Sequence, residues 1–215
     1  VFDLVNEWLS DEAGPCAALA QPEAGTGTEL ASNGARIRET QILFRGAAQQ
    51  LYAVLAEPLD RPLSESTVIL FNAGALRRIG PNRMWTEAAR RWASCGLPVL
   101  RVDVEGIGDA DGDSSPYRES DDHFYTKALV DQARSALDLA VERGLPGRFI
   151  LAGLCSGAFW AFQAAVADPR VQAVAALNPR MLIFDRDVEG LRDVRRLRRM
   201  TTVAGPADAH RIDSA

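Results

Sequence analysis

FILAGLCSGAFWAFQAAVADP, residues 149–169, decides the fold. Phe149-Ile150-Leu151-Ala152 is an apolar run of strand length. Phe159 to Ala165 continues as an apolar helix that Asp168-Pro169 stops. Between them stands Gly153-Leu154-Cys155-Ser156-Gly157, a G-x-S-x-G pattern with Cys at its centre. Flanked by strand and helix, that pattern is a nucleophile elbow, a sharp turn that exposes its central side chain. Gly153 and Gly157 are then small because backbone must pass close to backbone. The N–H of Ser156 opens the helix and points where an oxyanion would form, while the helix N-terminus favours the thiolate form of Cys155. The competing reading is a small buried Cys that only packs, as most free Cys do.

Strands and helices alternate from Arg36 onward. Thr40–Phe44 and Leu51–Glu57 predict a hairpin around Arg45-Gly46, and Thr67–Phe71 a buried strand. A helix follows from about Arg83 to Cys95, with Asn82 as N-cap and Gly96 as stop. Val99–Val104 is the next strand. Ala128, Val130, Ala133, Leu137 and Ala140 give helical spacing between Phe124 and Arg143, closed by Gly144. Val171–Leu177 is the last strand. The predicted class is α/β: a doubly wound, mostly parallel sheet with right-handed crossovers. Its core spans residues 36–185 and is partial. Before it, residues 1–35 hold an amphipathic helix, Phe2–Leu9, and a Gly- and Thr-rich linker, Gln21–Ala35. That helix is either the tail of an upstream domain or a strap across the core. Residues 186–215 begin a lid: Leu191, Val194, Leu197 and Met200 repeat every three residues among solvated Arg residues. The chain begins without Met and ends in polar coil, as a fragment would.

With 47% hydrophobic and 25% charged residues, the 215-residue chain has an ordinary globular composition. A net charge of −5 leaves no footprint for nucleic acid or an anionic membrane. No apolar run approaches a membrane span, and no signal peptide is visible. Cys16, Cys95 and Cys155 are three Cys without metal spacing, which points to a reduced cytoplasmic setting.

Two more loops leave the carboxyl edge of the predicted sheet, where ligand sites lie in such folds. Asn72-Ala73-Gly74-Ala75 follows TVILF, and a small turn there would supply a second oxyanion N–H, from Gly74 or Ala75. Asp103-Val104-Glu105-Gly106-Ile107-Gly108-Asp109-Ala110-Asp111-Gly112-Asp113 is dense in Asp, yet it lacks the ligand rhythm and closing Glu of an EF-hand. Its expected role is structural, with Asp103 bonding neighbouring turns, and no metal is expected. Gly106-x-Gly108 is too short for a dinucleotide fingerprint.

These pieces resemble the α/β-hydrolase superfamily over residues 36–184. More narrowly they resemble bacterial serine-aminopeptidase-like hydrolases, including those associated with the exosortase system. NAGALRRIGPNRMW (72–85), LPVLRVDVEGIGDADGD (97–113) and LAGLCSGAFWAF (151–162) carry the narrower resemblance. It implies a thiol nucleophile at Cys155, with the Ser156 N–H and the Gly74/Ala75 turn as oxyanion hole. Asn72 departs from the His-Gly that hydrolases more often place there. The superfamily's order of nucleophile, acid, then His puts the acid at Asp185 or Asp187, just past the last strand, the alternative being solvated loop acids. His123 lies upstream of the elbow. His210 has the right order but sits in polar coil, so the catalytic His is expected beyond this stretch.

The expected activity is hydrolysis of a small-molecule ester or thioester through an acyl-enzyme on Cys155, without metal or organic cofactor. Two alternatives stand beside it: an acyltransferase with the same nucleophile, and a non-catalytic binding module that keeps the elbow as fold geometry.

Overall fold

The computed structural model describes residues 27–46, 48–180 and 182. Phe2–Leu9, Cys16, Asp185, Asp187, the predicted lid and His210 lie outside the described residues.

Seven strands form one sheet: β1 (Thr28–Ser32), β2 (Ala35–Arg45), β3 (Gln50–Pro58), β4 (Ser66–Phe71), β5 (Val99–Asp103), β6 (Arg148–Leu154) and β7 (Val171–Leu177). Their spatial order is β1-β2-β3-β5-β4-β6-β7. Pairing is antiparallel from β1 to β5 and parallel through β5-β4-β6-β7, so β2 and β4 to β7 all run one way. The helices are α1 (Met84–Ala93), a short α2 (Pro116–Glu119), α3 (Lys127–Glu142) and α4 (Ser156–Ala167).

Sequence patterning explains the layers. β2 alternates buried and open positions over its second half, with Thr40, Ile42 and Phe44 on one covered face, while Ala35 and Ile37 near its start are buried on the opposite face, Ile37 in the cluster under α1. β4 and β5, STVILF and VLRVD, are covered on both faces and read as largely apolar runs, with Thr67, Arg101 and Asp103 the buried polar residues among them. Arg101 is 4% exposed and is tolerated because Glu39 Oε1 and Thr86 Oγ1 each accept from it at 2.7 Å. α1 packs Trp85, Ala89 and Ala93 on Val68, Leu70 and Ala152 on one face. On the other, α3 and α4 bury Leu129, Ala133, Leu137, Phe159, Trp160 and Ala164 with Ile69, Phe71 and Leu151.

Three boundaries differ from the sequence expectation. Within the stretch read as linker, TELAS forms β1; it carries one large apolar side chain, Leu30, so its order comes from pairing with β2 and a Glu29–Arg38 ion pair of 2.9 Å. Asn82 does not cap α1. Residues 81–83 make a separate 3-10 turn with Asn82 and Arg83 in the left-handed region (φ 49° and 63°), and the indole of Trp85 ties the helix start to the Phe71 carbonyl at 3.0 Å. α3 starts at Lys127 rather than Phe124, because residues 121–124 form another 3-10 turn, whose Asp122 N–H donates to Ser120 Oγ at 3.1 Å.

Asp168, 3% exposed between α4 and β7, gives the fold a pH dependence. Arg170 donates to it from Nε at 2.9 Å, from a guanidinium NH2 at 2.6 Å and from its backbone N–H at 3.0 Å. These bonds, the side-chain ones foremost, hold the Asp168 carboxyl below its ordinary value of 3.8. A depressed carboxyl stabilises above its unfolded pKa, and the contribution disappears as pH falls through the lower folded value. Asp168→Asn is expected to lower the Tm at neutral pH, with the gap to wild type closing below about pH 4. Melts across that range check this; a constant gap would contradict it.

Candidate active site

β4 and β6 are adjacent and parallel, with Phe71 opposite Gly153, yet the helices that follow them lie on opposite faces of the sheet. Their connections therefore leave in opposite directions and open a crevice at the carboxyl edge. The turn after β4 and the elbow after β6 meet there: the Gly74 N–H donates to Ser156 Oγ at 2.8 Å, although the two residues are 82 apart in the chain.

Cys155 sits on the elbow at φ 55°, ψ −112°, a region that non-glycine residues rarely adopt. Holding it there costs about 1–3 kcal/mol, which the surroundings must over-determine. They do so by close approach. A Cβ at Gly153 would overlap the carbonyl of Gly157, and a Cβ at Gly157 would overlap the Asn72 carbonyl oxygen and stand 2.8 Å from that of Phe71. The Cys155 N–H is fixed on the Leu177 carbonyl at 3.0 Å, at the end of β7. The side chain is partly exposed, at the N-terminus of α4, and the N–H of Ser156 has no intrahelical acceptor.

Asp103 holds the opposite loop. Register places Phe71 beside Val102, so Asn72 and Asp103 are neighbours at the two strand ends. The fully buried Asp103 accepts from Asn72 Nδ2 at 3.0 Å, and from the backbone N–H and the guanidinium of Arg78 at 2.6 Å each. One carboxylate thus clamps both ends of the 72–78 loop that carries Gly74 and Ala75. Arg78 also bonds Asp109 at 2.6 Å and lies over the Tyr52 ring, 4.2 Å from its centroid. Burial opposes its charge, but Asp103 and Asp109 leave its pKa raised. Asp103→Ala would leave that guanidinium on Asp109 alone and the Asn72 and Arg78 N–H groups without their acceptor, and is expected to cost about 3–5 kcal/mol in urea melts; a loss under about 1 kcal/mol would show that the clamp is not formed.

The loop between β5 and α3 approaches the 72–75 turn, where the Phe124 ring stands 3.9 Å from the position of a Cβ on Gly74. Tyr117 stacks on Phe124 with centroids 4.7 Å apart, and the Phe124 carbonyl accepts from the buried Trp160 indole at 2.6 Å. Tyr125, 5% exposed, meets the Phe159 ring edge-on at 5.3 Å. Burial, then Cys155, pushes the Tyr125 phenol pKa up. Arg180, just past β7, pairs with Asp121 above it.

The structure therefore brings Cys155, Ser156, Gly153, Gly157 and Gly74 together, with Ala75 next in the turn. His123 is exposed on the 121–124 turn, and no hydrogen bond joins it to Cys155 among the described residues. The acidic 103–113 loop puts Asp103 to work as an acceptor of N–H groups; among the described residues no group of three or more His, Cys, Asp or Glu is placed to hold a metal ion. Sequence reasoning missed Tyr125 and Arg78. The signal for Arg78 was its place six residues past Asn72, opposite an Asp that ends the neighbouring strand. Tyr125 gave no signal, because only the fold of the 104–126 loop brings it against Phe159 in the first turn of α4. No described helix is long and apolar enough to cross a membrane.

No family model matches the chain, and no curated protein is similar to it in sequence. Solved structures are similar in fold. A cold-adapted esterase from an Arctic intertidal metagenomic library aligns with TM-score 0.54 and 16% identity over 70% of this chain and 63% of its own. An α/β hydrolase from Penicillium sp. sh18 aligns with TM-score 0.51 and 20% identity over 66% and 46%. The acetyl xylan esterase of Paenibacillus sp. R4 aligns with TM-score 0.52 and 17% identity over 83% and 58%. The chain thus spans between 46% and 63% of these structures' own lengths. Strand order, the strained elbow between β6 and α4, and these likenesses together give the chain the α/β-hydrolase fold.

Proposed function

We propose that the chain is the nucleophile-bearing part of an ester or thioester hydrolase that works through an acyl-enzyme on Cys155. The observation that carries this reading is the conformation of Cys155: a thiol on a strained turn, at a helix N-terminus, at the carboxyl edge of the sheet. Backbone strain held in place by the surroundings clusters at functional positions. The narrower resemblance to serine-aminopeptidase-like hydrolases supports the Cys elbow, and the esterase names among the similar structures support ester chemistry.

In the proposed reaction the Cys155 thiolate adds to the substrate carbonyl carbon, and the displaced electron pair moves onto oxygen. The N–H of Ser156 receives that oxyanion from one side. From the other side the 72–75 turn supplies a donor. The N–H of Gly74 is committed to Ser156 Oγ, so the N–H of Ala75 fills this role. Collapse of the adduct breaks the bond to the leaving alcohol or thiol, which takes up a proton, and leaves a thioester on Cys155. Water then adds to that thioester and Cys155 departs as the thiolate. The acid of this reading is Asp185 or Asp187. The substrate is a small acyl compound, and the Cys155 chemistry needs neither metal nor organic cofactor.

Competitive alkylation tests the proposal. Iodoacetamide is expected to modify Cys155 at least about tenfold faster than Cys95 at neutral pH. Equal rates would favour the binding module, in which the elbow is retained only as geometry.

A further inference from the structure

We propose that the Ser156 side chain is a positioning group of this site: its hydroxyl ties the 73–76 turn to the elbow and so holds the Ala75 N–H where it meets the oxyanion. The inference rests on the acyl-enzyme reading above and gives that reaction a side chain that acts through the turn, apart from the Ser156 N–H.

The turn is gripped at its two ends and once in the middle. Asp103 takes the Asn72 side chain at one end and the Arg78 N–H and guanidinium at the other. Between them the Leu76 N–H closes the turn on the Ala73 carbonyl at 3.1 Å, a bond internal to the turn. The Gly74 N–H donates to Ser156 Oγ at 2.8 Å, and among the described residues this is the one hydrogen bond from 73–76 to the elbow. Gly74 stands at φ 53°, in the left-handed region, and the nearest atom to an added Cβ there is on the Phe124 ring, 3.9 Å away. The middle of the turn is therefore loosely packed, and the Ser156 bond is what fixes it to α4.

Ser156 is placed for this by the elbow itself. It is the first residue of α4 and 1% exposed, so its bond to Gly74 is shielded from competing water. Its neighbour Gly157 comes up against the Asn72 and Phe71 carbonyls, which sets the helix start against the end of β4. Close approach thus fixes α4 on the strand, and the Ser156 hydroxyl fixes the turn beyond the strand. With the Gly74 N–H taken up, the N–H groups of Ser156 and Ala75 have no acceptor among the described residues. An oxyanion donor acts only at about 2.7–3.1 Å from the charged oxygen, and a displacement of about 1 Å can cost about a hundredfold in rate. A tether on the residue before Ala75 sets that distance before substrate arrives.

The test compares two reactions of Cys155 in the full chain and in Ser156→Ala, read on its peptide by mass spectrometry. Acetylation by p-nitrophenyl acetate passes through an oxyanion. Alkylation by iodoacetamide displaces iodide at a saturated carbon and makes none. Ser156→Ala keeps the backbone N–H and removes only the tether. Acetylation is expected to slow about tenfold to a hundredfold while alkylation stays within about twofold, with a Tm lower by no more than about 4 °C. A ratio of the two rates within about threefold of wild type overturns the positioning role. That holds whether both rates persist or both fall together, since a common fall reports a distorted elbow. A ratio that rises also overturns it, and assigns the oxyanion to the released Gly74 N–H. Each of these leaves the acyl-enzyme reading standing, provided wild-type Cys155 is acetylated. A wild-type Cys155 that alkylates but takes no acetyl group overturns both.

Discussion

Cys155→Ser is expected to lower turnover of an activated ester by about a thousandfold, with the fold intact. The two side chains are nearly the same size, and the elbow's φ of 55° is set by the backbone contacts of Gly153 and Gly157, so stability should hardly change. The chemistry differs. A thiol is partly ionised near neutral pH and intrinsically nucleophilic, whereas a hydroxyl attacks only with a base aligned to take its proton. The groups around this position suit an anion that already exists: a helix N-terminus and the open N–H of Ser156. Unchanged turnover in the variant, measured in the protein that shows wild-type esterase activity, would remove Cys155 from the mechanism.

Gly157→Val is expected to leave no folded protein, a loss of more than about 5 kcal/mol. The first atom of any side chain there would already overlap the Asn72 carbonyl oxygen and crowd Phe71. Those atoms are backbone at the end of a central strand, so they cannot swing aside as a side-chain tip would. Movement would break the β4–β6 pairing at Phe71–Gly153 and the Gly74–Ser156 bond together. Gly147→Ala is the matched control: no atom lies within 4 Å of an added Cβ there, and its effect should stay within about 0.5 kcal/mol. Circular dichroism and expression yield distinguish the two. A folded Gly157→Val protein would mean that the elbow does not press on β4.

The parts of the fold that announced themselves were those with a strong local pattern. FILAGL followed by CSGAFWAF changes from strand to helix across five residues with two glycines, which few structures other than an elbow accommodate. The long helix over 127–142 and the buried strands TVILF and VLRVD were visible for the same reason: their periodicity is set by a continuous core. β1 was hidden because TELAS has no apolar alternation, and it is a strand only by virtue of β2 beside it. The start of α1 was misread because a side-chain cap was expected at Asn82, where two left-handed residues and the Trp85 indole bond do the work.

The site divides in the same way. Cys155 and its glycines are contiguous in sequence and carry their geometry with them. Asp103 was recognisable as a structural acceptor, but its partners were not, because Asn72 and Arg78 reach it only through the parallel register of β4 and β5. Tyr125 is further from sequence still. It depends on two short turns, a stacked ring pair and one indole bond, none of which has a signature of its own. Contacts that depend on tertiary register are legible only after the sheet order is known.

The most direct measurement is mass spectrometry of the protein after brief reaction with an activated ester such as p-nitrophenyl acetate. An acetyl group on the Cys155 peptide, formed faster than on Cys95, absent in Cys155→Ser and released by hydroxylamine, is the result expected of an acyl-thioenzyme. Acetyl groups distributed over lysines with Cys155 unmodified would contradict it.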